Sequence, residues 1–512
     1  MNFLEALKQE YANIAYTENN ARAYKSTGNK LLDLFSRMSV SRSFLKKDKM
    51  GKKYLDDDIL NLCLISFDES PILTLQAIIY ARDILNGQGE RDTSRQMLIS
   101  LINSRCEGKV ELFERTLVAF KELGRFDDLV CVYMSVEDNL IKNYIIQIIK
   151  AQLKTDTAAM IKGGVVSLLA KWLPSENTSS KQTKQAAKAI RKALNLDSAE
   201  YRKILTKLRA QIKIIENKLR TKDYSFDYES VPSQAMLKYT KAFKRNDLAR
   251  FESYLDSLSK GESKVNVKTL TPANVIYKMV QDNGENKSLF NAQWKQMLEN
   301  FECLNGVDAI VAADVSGSMY GGGECPIYVS VGLALFFAYK NTAKYKGHFI
   351  DFCGNSQIHE LDLSKDLWVN YNLILNSSRD TNTNVDSVFK ALLDSAVKHK
   401  ISQKDLPKYL IIISDMEFDA CSYDDNEVNF NSWKKRFKEN AYELPIIVFW
   451  NAANRNNISP AQKNDSVIML SGRSQNGFKT LNLIEKCGII KPEELALKAM
   501  VETLKGYDRY FE

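Results

Sequence analysis

The stretch Val307-Asp308-Ala309-Ile310-Val311-Ala312-Ala313 runs straight into Asp314-Val315-Ser316-Gly317-Ser318. The first part is apolar apart from one early acid, and it is continuous, not alternating. A short run of this kind fits a strand buried on both faces. Small polar residues close it, and a helical pattern follows over 327–339. Further strand signals lie at 348–352, 409–413, 446–450 and 467–470, with helical patterns between them, including 385–397 and 433–440. Apolar strands alternating with helices predict a parallel sheet covered on both faces, an α/β doubly wound domain over 303–512.

Upstream of Leu304-Asn305-Gly306 the period changes. Segments 59–65, 73–85, 97–102, 110–123 and 139–153 carry apolar residues at three- and four-residue spacing, broken by polar strings such as Asp68-Glu69-Ser70-Pro71. The pattern predicts an almost wholly helical region over 1–302, an all-α, HEAT-like stack or ring of helix pairs. The chain is therefore read as multidomain, with its boundary near 302–306.

Bulk properties agree with a large globular chain. At 512 residues it exceeds one ordinary core. Hydrophobic residues make up 45% and charged residues 26%, a balance that excludes disorder. The 8 cysteines form no Cys-x-x-Cys pair, which excludes the common zinc spacings and fits a reducing compartment. The opening Met1-Asn2-Phe3-Leu4-Glu5 carries no signal-peptide pattern, and no stretch approaches the ~20 apolar residues of a membrane helix. The expectation is a cytoplasmic protein with no membrane partner. The net charge of +8 hides a concentration: residues 181–222 hold 13 Lys or Arg against three acids, a net of +10, so the remainder sums to −2. Lys184, Lys188, Arg191 and Lys192 fall at helical spacing, as do Arg202, Lys203 and Lys207. A concentrated basic face is the footprint of phosphate binding, and a solvated helix face is its plain alternative.

The loop after the first buried strand is where a doubly wound sheet binds ligands. Asp314, Ser316 and Ser318, at alternate positions of a tight turn, can aim three oxygens at one point. The run 410–414 ends in a second carboxylate, Asp415, and the polar loop Arg379-Asp380-Thr381-Asn382-Thr383 precedes a helix. Hard oxygen donors suit Mg²⁺ first, then Ca²⁺ or Mn²⁺. Catalysis is not expected. The histidines, His348, His359 and His399, sit in no nucleophilic or metalloprotease pattern, and the acids are too few for two metals.

These residues resemble the metal motif of the von Willebrand factor A family: Asp-x-Ser-x-Ser, then a loop threonine, then an Asp closing an apolar strand. The resemblance covers 303–512 and implies a metal-ion-dependent adhesion site. Ser316 and Ser318 would be direct ligands. Asp314 and Asp415 would act directly or through water. Thr383 is the preferred threonine, and Thr381 also fits. An acidic protein partner would fill the open position.

Strings in the helical half resemble the Ro autoantigen (TROVE) family. They are Ala23-Tyr24 with Thr27-Gly28-Asn29, Ala81-Arg82-Asp83 with Gly87-Gln88-Gly89-Glu90-Arg91-Asp92, Gly124-Arg125-Phe126-Asp127-Asp128-Leu129, Lys171-Trp172-Leu173-Pro174 and Val231-Pro232-Ser233. Read from the residues alone, the second and third strings are structural: glycine turns, helix caps, and Asp127 and Asp128 pairing with Arg125. The resemblance implies a helical ring that binds small structured noncoding RNA and single-stranded RNA ends as a chaperone or scaffold. The alternative is a metal-dependent protein–protein scaffold, such as a viral or phage structural or accessory protein, with no RNA role.

Overall fold

Among the described residues, the computed structural model holds ten strands and a large set of helices. It describes every residue except 1–3, 5–7, 9–10, 40–45, 48–52, 213, 303, 305–306, 322–325, 343, 353–354, 378–381, 421–428 and 454–455. Two short antiparallel hairpins come first: β1 (Ile14–Tyr16) with β2 (Arg22–Tyr24), and β3 (Lys46–Lys47) with β4 (Lys53–Tyr54). The main sheet comprises β5 (Ala309–Asp314), β6 (His348–Phe352), β7 (Ile358–Glu360), β8 (Tyr409–Ser414), β9 (Ile446–Asn451) and β10 (Val467–Ser471). Its order is β10-β9-β8-β5-β6-β7, parallel throughout except for the antiparallel edge strand β7. The chain thus winds outward from β5 in both directions, which is the doubly wound arrangement. Every residue of β5, β8 and β10 is buried, as continuous apolar strands require.

Two compact units result, Met1–Leu62 with Asp227–Gly506, and Cys63–Phe226 with Tyr507–Glu512. The helix Lys287–Asn300 ends shortly before β5 begins at Ala309. The units do not divide there, and the N-terminal residues are not all helical. Helices Pro272–Gln281 and Lys287–Asn300 belong with the sheet because their apolar faces are covered by the helix Pro326–Lys340. A Cβ on Gly332 would lie 3.0 Å from the backbone of Pro272 and Ala273, so this glycine sets the helix separation. Trp294 and Phe301 pack edge-on to Phe336, with centroids at 6.0 and 5.2 Å.

In the second unit, two of the motif strings converge on one carboxylate. Asp128 is fully buried and accepts from Arg82 Nε (2.9 Å), Arg95 Nε (2.5 Å) and the Arg125 amide (2.7 Å). Arg95 also reaches Asp127 at 2.6 Å. The expected pairing with the Arg125 side chain is therefore replaced: Arg82 and Arg95 hold the aspartates, and Arg125 lies over the Trp172 ring at 5.8 Å. The glycines are steric necessities. A Cβ on Gly124 would fall 2.4 Å from Asp128 Oδ2, and one on Gly87 would fall 2.0 Å from the Tyr80 carbonyl. The last residues return to this unit, where Tyr507 donates to Asp83 (3.1 Å) and Tyr510 to Glu122 (2.9 Å).

Asp128→Ala strands two guanidiniums, one of them wholly buried, and should lower stability by about 3–5 kcal/mol. A denaturant midpoint close to that of the wild type would contradict this reading of the node.

Candidate metal centre and basic face

Asp314 ends β5, in register beside the end of β8, where Ala313 pairs with Ile413. From these two strands the chain departs to opposite sides of the sheet, and the crevice beyond their carboxyl ends is where such folds take ligands. Asp314 is completely buried. Its Oδ1 accepts from the Ser316 amide at 2.9 Å, and its Oδ2 accepts from Ser414 Oγ at 2.6 Å. Ser414 Oγ accepts in turn from the Met416 amide at 3.1 Å. Ser316 has extended backbone leading into the 3₁₀ turn Gly317–Tyr320, which brings Ser316 Oγ and Ser318 Oγ to 3.1 Å from each other. Ser318 is half-buried and Gly317 exposed, so the cluster opens to solvent there.

Asp415 follows β8 directly, is buried, and accepts the Glu417 amide on Oδ1 at 3.2 Å. Burial, and next the Asp415 charge, push the Asp314 carboxyl up to about 6, against the pull of the Ser414 and Ser316 hydrogen bonds. Two buried acids with two hydroxyls alongside are oxygen donors of the kind that suits a hard divalent cation. Among the described residues no three His, Cys, Asp or Glu side chains form a metal-holding group. Coordination here would therefore rest on the hydroxyls as much as on the acids.

Thr383 is buried, and its carbonyl accepts the Asp419 amide at 3.0 Å, which ties its loop to the segment leaving β8. Thr381 lies outside the described residues. Asp314, Ser316, Ser318 and Asp415 are thus gathered at one strand-end crevice, with the Thr383 backbone tied to the same exit segment. Sequence reasoning missed Ser414, whose hydroxyl bridges the two strands. A serine ending an apolar run carries no ligand pattern, so nothing distinguished it.

The basic residues fall in the second unit. Lys184, Lys188 and Lys192 form an exposed stripe on the helix Lys181–Ala193, opposite the buried Ala187 and Ile190. Arg202, Lys203 and Lys207 are exposed on the helix Ser198–Gln211, which buries Tyr201, Leu205 and Leu208. Arg191 differs from the rest. It is half-buried, pairs with Glu176 (2.8 Å) and donates to the Leu196 carbonyl (2.8 Å), so it braces the turn between the helices. Arg209 likewise donates to Ala170, Ser175 and Leu173, which explains the Lys171-Trp172-Leu173-Pro174 string as a bracket.

The fold and the site define a two-unit protein, one unit helical and the other holding a doubly wound mixed sheet with a cluster of hard oxygen donors at its switch point. Residues 308–503 match the model of a domain of unknown function, DUF7788, and residues 165–304 match that of a second, DUF2828. An uncharacterized protein of Acanthamoeba polyphaga mimivirus is 28% identical over 503 residues, spanning 92% of this chain and 85% of that one. The crystal structure of the Deinococcus radiodurans Ro (RSR) protein aligns over 94% of this chain and 100% of that chain, at 13% identity and a TM-score of 0.45. Among the described residues no helix is long and apolar enough to cross a membrane.

Without metal, a carboxyl raised from an ordinary value near 4 to about 6 removes stability as pH rises through that window. Asp314→Asn cannot ionise. At pH 7 in chelator it should melt above the wild type, and Mg²⁺ should raise the melting temperature of the wild type but not of this variant. An equal Mg²⁺-dependent rise in both proteins would contradict the assignment.

Proposed function

We propose that the protein binds small structured or misfolded noncoding RNA, as a Ro-like chaperone or scaffold in the cytoplasm. In this reading the α/β domain is a von Willebrand A-type adhesion module. It takes a divalent cation, Mg²⁺ first, on Asp314, Ser316, Ser318, Thr383 and Asp415, and offers it to a partner carboxylate. The observation that carries the RNA reading is the exposed lysine stripe at Lys184, Lys188 and Lys192, joined by Arg202, Lys203 and Lys207 on the next helix of the same unit. The ordered Ro-like strings support it, and their structural role at Asp128 fits a scaffold that presents this face. The chain acts as a binding device, not an enzyme.

Recognition through lysines is recognition of phosphates, which releases counterions. Affinity should fall roughly a hundredfold between 50 and 200 mM salt if about five phosphates are engaged. Lys184→Glu, Lys188→Glu, Lys192→Glu and Lys203→Glu together spare the braced Arg191 and should abolish binding to a structured small RNA in a filter or gel-shift assay. Full binding by this variant would contradict the assignment of the face. No binding by the wild type at low salt would leave the metal-dependent protein scaffold as the reading, favoured by the opening of the oxygen cluster at Ser318.

A further inference from the structure

The segment carrying Asp415 away from β8 is held by two local bonds, Met416 amide to Ser414 Oγ and Glu417 amide to Asp415 Oδ1, and beyond them by distant residues. Met416 adopts a left-handed backbone (φ 67), a conformation a non-glycine residue keeps only when its surroundings impose it. The residues that follow it are held from the other end of the sequence. Glu417 is buried, and its Oε2 accepts the Glu18 amide at 2.7 Å. Its Oε1 accepts from Asn456 at 3.0 Å, and its carbonyl accepts from the Asn19 side chain at 2.8 Å. The next carbonyl, that of Phe418, accepts from Thr17 Oγ1 at 2.7 Å, and Asn20 bridges to Asp419. Asp419 then donates to the Thr383 carbonyl at 3.0 Å. Each of the residues 417–419 is therefore gripped by residues 17–20. The gripped segment begins two residues after one candidate ligand and is bonded to the backbone of another.

We propose that residues 17–20 are a clasp whose docking sets the affinity of the metal centre, with Glu417 as the positioning residue through which it acts. The inference rests on the metal reading above. The grip is polar and reversible in character: Glu18, Asn19 and Asn20 are exposed, and the seam beneath holds a small cavity lined by Ala21, Ala23, Met416, Phe418 and Phe449. Docked, the clasp supplies the Glu18 amide to Glu417 Oε2, beside the Asn456 donor on Oε1, and fixes the backbone that follows Asp415. Undocked, it would leave Glu417 Oε2 without its backbone donor, two residues from the candidate ligand Asp415, with Met416 free to relax. Coupling of this kind is reciprocal, so the cation must also tighten the clasp.

The test uses the full chain. Thr17→Val with Asn19→Ala removes two of the clasp's donors without touching a ligand. Calorimetric titration with Mn²⁺ should show affinity reduced by about fivefold or more, while Thr17→Ser, which keeps the hydroxyl, stays within about twofold of the wild type. In the wild type, Mg²⁺ should slow hydrogen exchange in the peptide containing the Glu18 amide. Wild-type affinity in the double variant would overturn the proposal. So would unchanged Glu18 exchange on adding Mg²⁺, an arm that holds even if the double variant fails to fold in chelator. A wild-type chain that binds no Mn²⁺ would instead overturn the metal centre itself, and the clasp with it.

Discussion

Two carboxylates at the ends of neighbouring strands, both shut away from water, are the constraint around which the sheet unit is arranged. Burial, and next the Asp415 charge, raise the energy of the ionised Asp314. Burying a charge without compensation is costly, so the surrounding donors are accounted for with care. The Ser316 amide and Ser414 hydroxyl serve Asp314, and the Glu417 amide serves Asp415. What these donors leave over is negative potential at a mouth that also presents two hydroxyls. That surplus is the reason to place a hard cation there, and the topology puts it where the strand order reverses.

The helical unit answers a similar problem in the opposite way. Its buried aspartate, Asp128, is neutralised from within by Arg82 and Arg95, so no ligand is called for. A buried pair of this kind contributes little net stability and much geometric definition, because removing one partner is so costly. The helices Lys181–Ala193 and Ser198–Gln211 display positive charge, with Arg191, Arg202 and Arg209 held by internal partners and Lys184, Lys188, Lys192, Lys203 and Lys207 exposed. One unit thus presents oxygens suited to a cation, and the other presents cations suited to phosphates.

Much of this was legible in the residues. The sheet strands β5, β6, β8, β9 and β10 showed themselves because doubly buried strands are continuous apolar runs, and their polar ends marked Asp314 and Asp415. Helices were legible from period. Strand β7, only Ile358–Glu360, and the three-residue β1 and β2 were not, because pairing across the sheet or hairpin, not composition, makes such short pieces strands. The division into units was also hidden. It depends on which helix faces are covered, and Gly332 against Pro272 is a contact between residues 60 apart in sequence. Charge was visible, but its use was not: Arg191 and Lys188 look alike until Glu176 is seen beside one of them. Glu417 and Thr17 were beyond reach for the same reason, being joined across some four hundred residues.

The central claim is that the lysine-bearing helices hold RNA. Ultraviolet crosslinking of the protein to RNA at low salt, followed by mass spectrometry of the nucleotide-bearing peptides, addresses it most directly. The account predicts crosslinks concentrated in peptides from Lys181–Ala193 and Ser198–Gln211, lost on raising the salt. Crosslinks spread evenly over the chain, or confined to peptides away from these two helices, would contradict it.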